Sequence, residues 1–297
     1  MADQVACIPD PVEAEASRNR HRDLAFDAVI RSLASTGSRV LRSGLGSTYP
    51  CEARDGAGVV ALTRPLRPSP DDRFGVGAKH YCLWAAAAIG VSVVLAGPTA
   101  ETITRLLVLA FIAGQYVFRA TLVNALPGLA PQARFITLGV LLAAVVEGFH
   151  MISKPVYSSL LVGPDTSPAD ALRFYAIDLL VTTPAYVVIF AVIWFLINRY
   201  HYGLWSYIVV MGLGQALGDG GVFFFAAAPQ MLVFLPYPMT NYHACNVLPF
   251  VATRDALPAA RAAGRRSWVA VPALILVYLV CGGAIKLAGR AAGLDPG

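Results

Sequence analysis

A chain of 297 residues that is 57% hydrophobic and only 14% charged, with a mean hydropathy of +0.60, is wrong for a water-soluble domain. The net charge of +5 is not a nucleic-acid footprint, because no basic stripe with interleaved aromatics accompanies it. The five cysteines (Cys7, Cys51, Cys82, Cys245 and Cys281) are odd in number and scattered without a Cys-x-x-Cys pair, so neither a disulfide framework nor a cysteine-based zinc site is indicated. The composition points instead to an all-α, polytopic membrane helix bundle. Its partner is the lipid bilayer, with no nucleic acid.

Residues 1–78 differ from the rest. Arginine and acidic residues balance there, punctuated by Gly44-Leu45-Gly46-Ser47 and by the prolines from Pro65 to Pro70, a composition that predicts a disordered cytoplasmic tail. Within it, Leu24, Phe26, Val29, Ile30 and Leu33 recur at near-helical spacing, which predicts an amphipathic helix over 12–34 for a membrane surface or a partner. Met1-Ala2-Asp3-Gln4 lacks a basic n-region and an apolar h-region, so no signal peptide is expected.

The transmembrane bundle is expected over 79–290. Runs of about 20 apolar residues predict spans at Tyr81–Gly97, Ile103–Val123, Phe135–Ile152, Phe174–Ile197, Leu204–Phe225, Gln230–Ala252 and Trp268–Leu287. The sixth is interrupted by Pro236, Pro238, Asn241, His243 and Asn246, yet parity calls for it. Arg199 before the fifth span and the arginines before the last share the cytoplasmic side only if the chain crosses twice between them. Seven spans with the N-terminus inside put eleven Lys and Arg on the cytoplasmic side against five outside, counting from Arg64 onward. The loop 153–172 is then external. No internal repeat supports an inverted-repeat transporter.

Only eight carboxylates follow Asp72, and Glu147, Asp178 and Asp219 lie inside apolar runs. A charge in lipid costs at least about 2.5 kcal/mol on the insertion scale, so such residues face protein, water or one another. At about 1.5 Å per residue, Glu147 and His150 on the third span, Asp178 near the outer start of the fourth and Asp219 with Gln215 on the fifth share the outer half of the bundle. Asn241, His243 and Asn246 fall near mid-depth on the sixth. The expectation is one polar cavity open to the external side. Glu147, His150, Asp178 and Asp219 are its candidate catalytic groups, and Gln215, Asn241, His243 and Asn246 its candidate substrate-binding groups.

Several readings of these residues compete. Glu147 and His150 lie three apart on one helix face, but a di-metal site needs a second Glu-x-x-His and none occurs. His150, His243 and Asp219 have ligand types that suit zinc, with undiagnostic spacing, and no cofactor is identified. Asp178 follows Arg173 near a helix start, where it also complements the helix dipole. Arg119 reads as a snorkelling interface residue, and Tyr200, Tyr202, Trp205 and Tyr207 as an interfacial belt. Gly212, Gly214, Gly218, Gly220 and Gly221 around Asp219 permit close helix approach or a local break.

Leu217-Gly218-Asp219, preceded by Asp178 and followed by Pro272-Ala273-Leu274, resembles the motif order of presenilin-type intramembrane aspartyl proteases. The resemblance covers about ten residues, and implies that Asp178 and Asp219 share a proton while Pro272 to Leu274 shape the substrate site. It departs where Ala216 stands for the first glycine of the second motif and Ile177 for the tyrosine before the first aspartate. Three broader classes remain. The first is a membrane-embedded enzyme acting on a lipid or other hydrophobic small molecule, towards which the short, repeat-free bundle tilts. The others are a transporter or channel with proton- or cation-binding carboxylates, and a non-catalytic ligand-binding or sensory protein.

Overall fold

The computed structural model describes residues 75–124, 126–258 and 264–294. The expected tail and its amphipathic helix over 12–34 lie outside the described residues. Among the described residues the chain is all-α with no strand.

Helix α1 is Val76–Ala96 and α2 is Ala100–Val117, started by the Thr99 hydroxyl, which accepts from the Thr102 amide at 3.2 Å. The short α3, Arg119–Val123, continues α2 after a break at Phe118, and Arg119 lies over the Tyr116 ring 4.5 Å away. Helix α4 is Pro131–His150, with proline at its first position. Helix α5 runs from Pro168 to Arg199 with Ser167 as N-cap, its hydroxyl accepting from the Asp170 amide and donating to the Asp170 carboxylate. Helix α6 is Leu204–Ala216 and α7 Val222–Ala227, with a π-turn over Leu217–Gly221 between them. Helix α8 is Pro236–Thr253 and α9 is Ala270–Ala291.

Six of these segments (α1, α2, α4, α5, α6 with α7, and α9 with the turn before it) are long and apolar enough to cross a membrane. The sixth expected span is also a helix, α8, but its prolines, Asn241, His243 and Asn246 make it too polar to stand among lipid. It packs against α1, α2, α3, α4 and α6. A closed circuit of helices organises the rest: α4 touches α5, α5 touches α9, α9 touches α6, α6 touches α8 and α8 returns to α4.

Two expectations about helix α5 and its neighbours change. Helix α5 begins six residues before the expected Phe174, so Asp178 stands about 15 Å along it, and Asp170 is the carboxylate of its first turn. Tyr202 and Tyr207 are no interfacial belt, being 3% and 0% exposed. The Tyr207 ring stacks on Phe250 at 3.9 Å, and the Tyr202 hydroxyl donates to the Ser267 carbonyl at 2.8 Å. Burial and the neighbouring Tyr200 push the Tyr202 phenol up.

Close helix approach depends on glycines. A Cβ on Gly218 would meet the Tyr278 Cβ at 2.7 Å and the Ile275 Cα at 3.0 Å, and one on Gly214 would meet Leu274 at 3.0 Å. Gly139 similarly admits Phe190 between α4 and α5. Gly218→Val should therefore destabilise the detergent-solubilised protein by about 1–3 kcal/mol. Gly90→Val, where open space surrounds the glycine, should leave the melting temperature nearly unchanged. Equal melting temperatures for the two variants would refute this packing.

Candidate functional site

The expected break in the glycine-rich segment occurs at Asp219 and Gly220. Asp219 has φ −79° and ψ 44°, and Gly220 has φ +87°, a left-handed conformation that glycine adopts without strain. The π-turn exposes Asp219 at the end of α6 and aims its carboxylate at α8. There the Tyr242 hydroxyl donates to Asp219 Oδ2 at 2.6 Å. Glu147, half-buried on α4, receives a hydrogen bond from the Tyr186 hydroxyl of α5. The Tyr278 hydroxyl of α9 donates to Gln215 Oε1 of α6 at 2.9 Å, and the Tyr242 and Tyr278 rings meet edge-on at 5.9 Å. Gln215 donates in turn to the Met211 carbonyl.

Each helix of the closed circuit thus contributes to one set: Glu147 from α4, Tyr186 from α5, Tyr278 from α9, Gln215 from α6 with Asp219 in the turn after it, and Tyr242 from α8. Glu147 feels the charges of both Asp219 and Asp178, and Tyr242 those of Asp219 and Glu147.

The other sequence candidates stand elsewhere. Asp178 is fully buried; its Oδ1 accepts from the Val156 amide at 3.1 Å, and its Oδ2 has no partner. It ties down the loop after α4, where Tyr157 packs against Gly289 and donates to the Ile285 carbonyl at 2.7 Å. Burial, with Asp178 nearby, pushes the Tyr157 phenol up. Asp178 and Asp219 therefore have separate partners, and the shared-proton pair implied by the protease resemblance is not formed. Arg105 Nη1 donates to Asn241 Oδ1 at 2.5 Å, and His150 stands near that pair, because the adjoining Thr104 hydroxyl donates to the Phe149 carbonyl at 3.0 Å. His243 faces α1, where its Nε2 lies 2.5 Å from the Tyr81 hydroxyl. Asn246 is 2% exposed one turn along α8 from Tyr242, with neither side-chain polar atom partnered.

Of the candidate metal ligands His150, His243 and Asp219, the last two are consequently held by Tyr81 and Tyr242. Among the described residues no three His, Cys, Asp or Glu side chains converge as a metal site. Tyr186, Tyr242 and Tyr278 carry no sequence signal, because tyrosine is unremarkable in membrane helices, and Arg105 is one of the five cations that the charge count puts outside. The available signal for Arg105 is its position as the third residue of the expected second span.

Outside the circuit, an apolar groove of about 410 Å³ runs between α5 and α9, lined by Leu180, Pro184, Val188, Cys281, Ile285 and Ala288 among others. Comparison with protein-family models, curated proteins and solved structures gave no match.

Removing the Asp178 side chain tests its structural part. Asp178→Ala strands the Val156 amide and should cost about 1–3 kcal/mol. Asp178→Asn retains an acceptor for that amide while removing a buried charge, and should be neutral or stabilising. Thermal unfolding in detergent reads both, and a loss of stability in the asparagine variant equal to that in the alanine variant would contradict this role.

Proposed function

We propose that this chain is a membrane-embedded enzyme that performs acid–base chemistry on a lipid or other hydrophobic small molecule. The observation that carries the proposal is that one closed circuit of helices holds two carboxylates, each bonded by a tyrosine from a neighbouring helix. Two carboxylates held in this way can divide the roles of proton donor and acceptor, and the phenols hold them in place and relay protons. Gln215, fixed by Tyr278, orients the substrate, and the unpartnered amide of Asn246 offers it a further polar contact. The apolar groove between α5 and α9 suits a hydrocarbon tail lying in the membrane.

Glu147→Gln and Asp219→Asn keep side-chain volume and remove the titrating group. Each should slow turnover by at least about 100-fold, the usual contribution of a positioned acid or base. Mass spectrometry of lipid extracts should show a species that accumulates with either variant and disappears when wild-type protein in nanodiscs is added. Identical extracts from wild-type and variant cells would overturn the enzyme. Carboxylate-dependent proton movement across proteoliposomes without lipid conversion would assign these residues to transport.

The arginine distribution supports the part of this reading in which the N-terminus lies on the cytoplasmic side of a cell membrane and the acid–tyrosine set toward the external face. Reporter fusions at Val162 and Arg261 should report opposite sides, because α5, α6 with α7, and α8 lie between them. The same side for both would show that α8 does not cross.

A further inference from the structure

A second set of polar side chains adjoins the acid–tyrosine set and has the opposite charge. Arg105, near the start of α2, is 4% exposed. Its Nη1 donates to Asn241 Oδ1, its guanidinium lies 4.0 Å over the Tyr237 ring, and its buried Nε has no partner. Among the described residues no carboxylate pairs with it. The adjoining Thr104 hydroxyl contacts the Phe149 carbonyl at 3.0 Å and the Ser153 hydroxyl at 2.9 Å, and the Lys154 amide donates to the His150 carbonyl at 2.8 Å, which brings His150 and Lys154 to the same end of α2. A buried guanidinium with one hydrogen bond and no counter-charge is costly, since burying a charge is tolerated when it is paired and fully hydrogen-bonded. Arginine has five donors in a planar fork, matched to the oxygens of a phosphate or carboxylate. The stack on Tyr237 fixes the plane of that fork.

We infer that Arg105, Asn241, His150 and Lys154 form a binding site for an anionic oxyacid group, a phosphate or carboxylate. It adjoins the acid–tyrosine set because Asn241 precedes Tyr242 on α8 and His150 lies one turn from Glu147 on α4. The substrate class of the proposed enzyme is then an amphiphile with an anionic head, its head on Arg105 and its adjoining carbons facing Glu147 and Asp219. This assignment of the substrate rests on the enzyme reading; anion binding itself does not.

The test uses the full chain in nanodiscs of neutral lipid, with dodecyl phosphate, dodecanol and inorganic phosphate as probes and calorimetry as the readout. Dodecyl phosphate should bind at least about tenfold more tightly than dodecanol, as one charge-assisted bond implies. Arg105→Met should abolish that preference, while Glu147→Gln should preserve it. Should Arg105→Met fail to fold, Lys154→Glu, at an exposed position, should weaken dodecyl phosphate several-fold. Competition by inorganic phosphate would mark a site reached from water, and binding of dodecyl phosphate without such competition a site reached from the membrane; both support an anion site. Equal binding of dodecanol and dodecyl phosphate, or unchanged affinity in both Arg105→Met and Lys154→Glu, would overturn it. Binding that survives in Glu147→Gln while no lipid conversion is found for the wild type would leave the anion site standing and reject the enzyme.

Discussion

The polarity of α8 is the constraint on which the rest of the bundle depends. A helix carrying Asn241, His243 and Asn246 among three prolines cannot face hydrocarbon, because unsatisfied polar groups there cost several kcal/mol each. It is surrounded by α1, α2, α4 and α6, whose outward faces are apolar. Three of its polar side chains find partners on other elements, Asn241 on Arg105, Tyr242 on Asp219 and His243 on Tyr81, while Asn246 is buried without one. Shielding from lipid and assembly of polar groups are thus one arrangement seen from two sides.

Glycine makes the arrangement close enough to matter. Gly214 and Gly218, four apart on one face, let α6 approach the backbone of α9, and Gly212 gives His243 its room. The same stretch breaks at Gly220, where the left-handed backbone ends the regular helix and presents Asp219 to Tyr242. A continuous helix would carry Asp219 round with its neighbours rather than expose it at a turn. Packing and site geometry therefore come from the same short segment.

Two charge environments follow along α4 and α8. One side gathers Glu147, Asp219 and three tyrosines; the other gathers Arg105, His150 and Lys154. Successive residues of α8 and one turn of α4 serve both. Opposite fields side by side in an apolar surround can orient a polar molecule end to end, which gives the pair of clusters a physical reason to be adjacent.

Membrane character, the all-α class and the approximate positions of the helices were legible in the sequence, since burial in lipid demands long apolar runs whatever the tertiary fold. So was the importance of the glycine-rich segment, because few other residues allow both close approach and a left-handed turn. Glu147, Asp219 and Gln215 could be placed at similar depth by counting residues along their helices. Depth does not give the direction in which a side chain points, and that is where tertiary structure decided. It turned Asp178 onto a loop amide, His243 onto Tyr81 and Asn241 onto Arg105, and it brought three tyrosines and Arg105 to positions that no local pattern marks. A hydrogen-bond partner on another helix is set by rotation about the helix axis and by which helices become neighbours. Both are fixed by packing across the whole bundle, and no stretch of sequence encodes them alone.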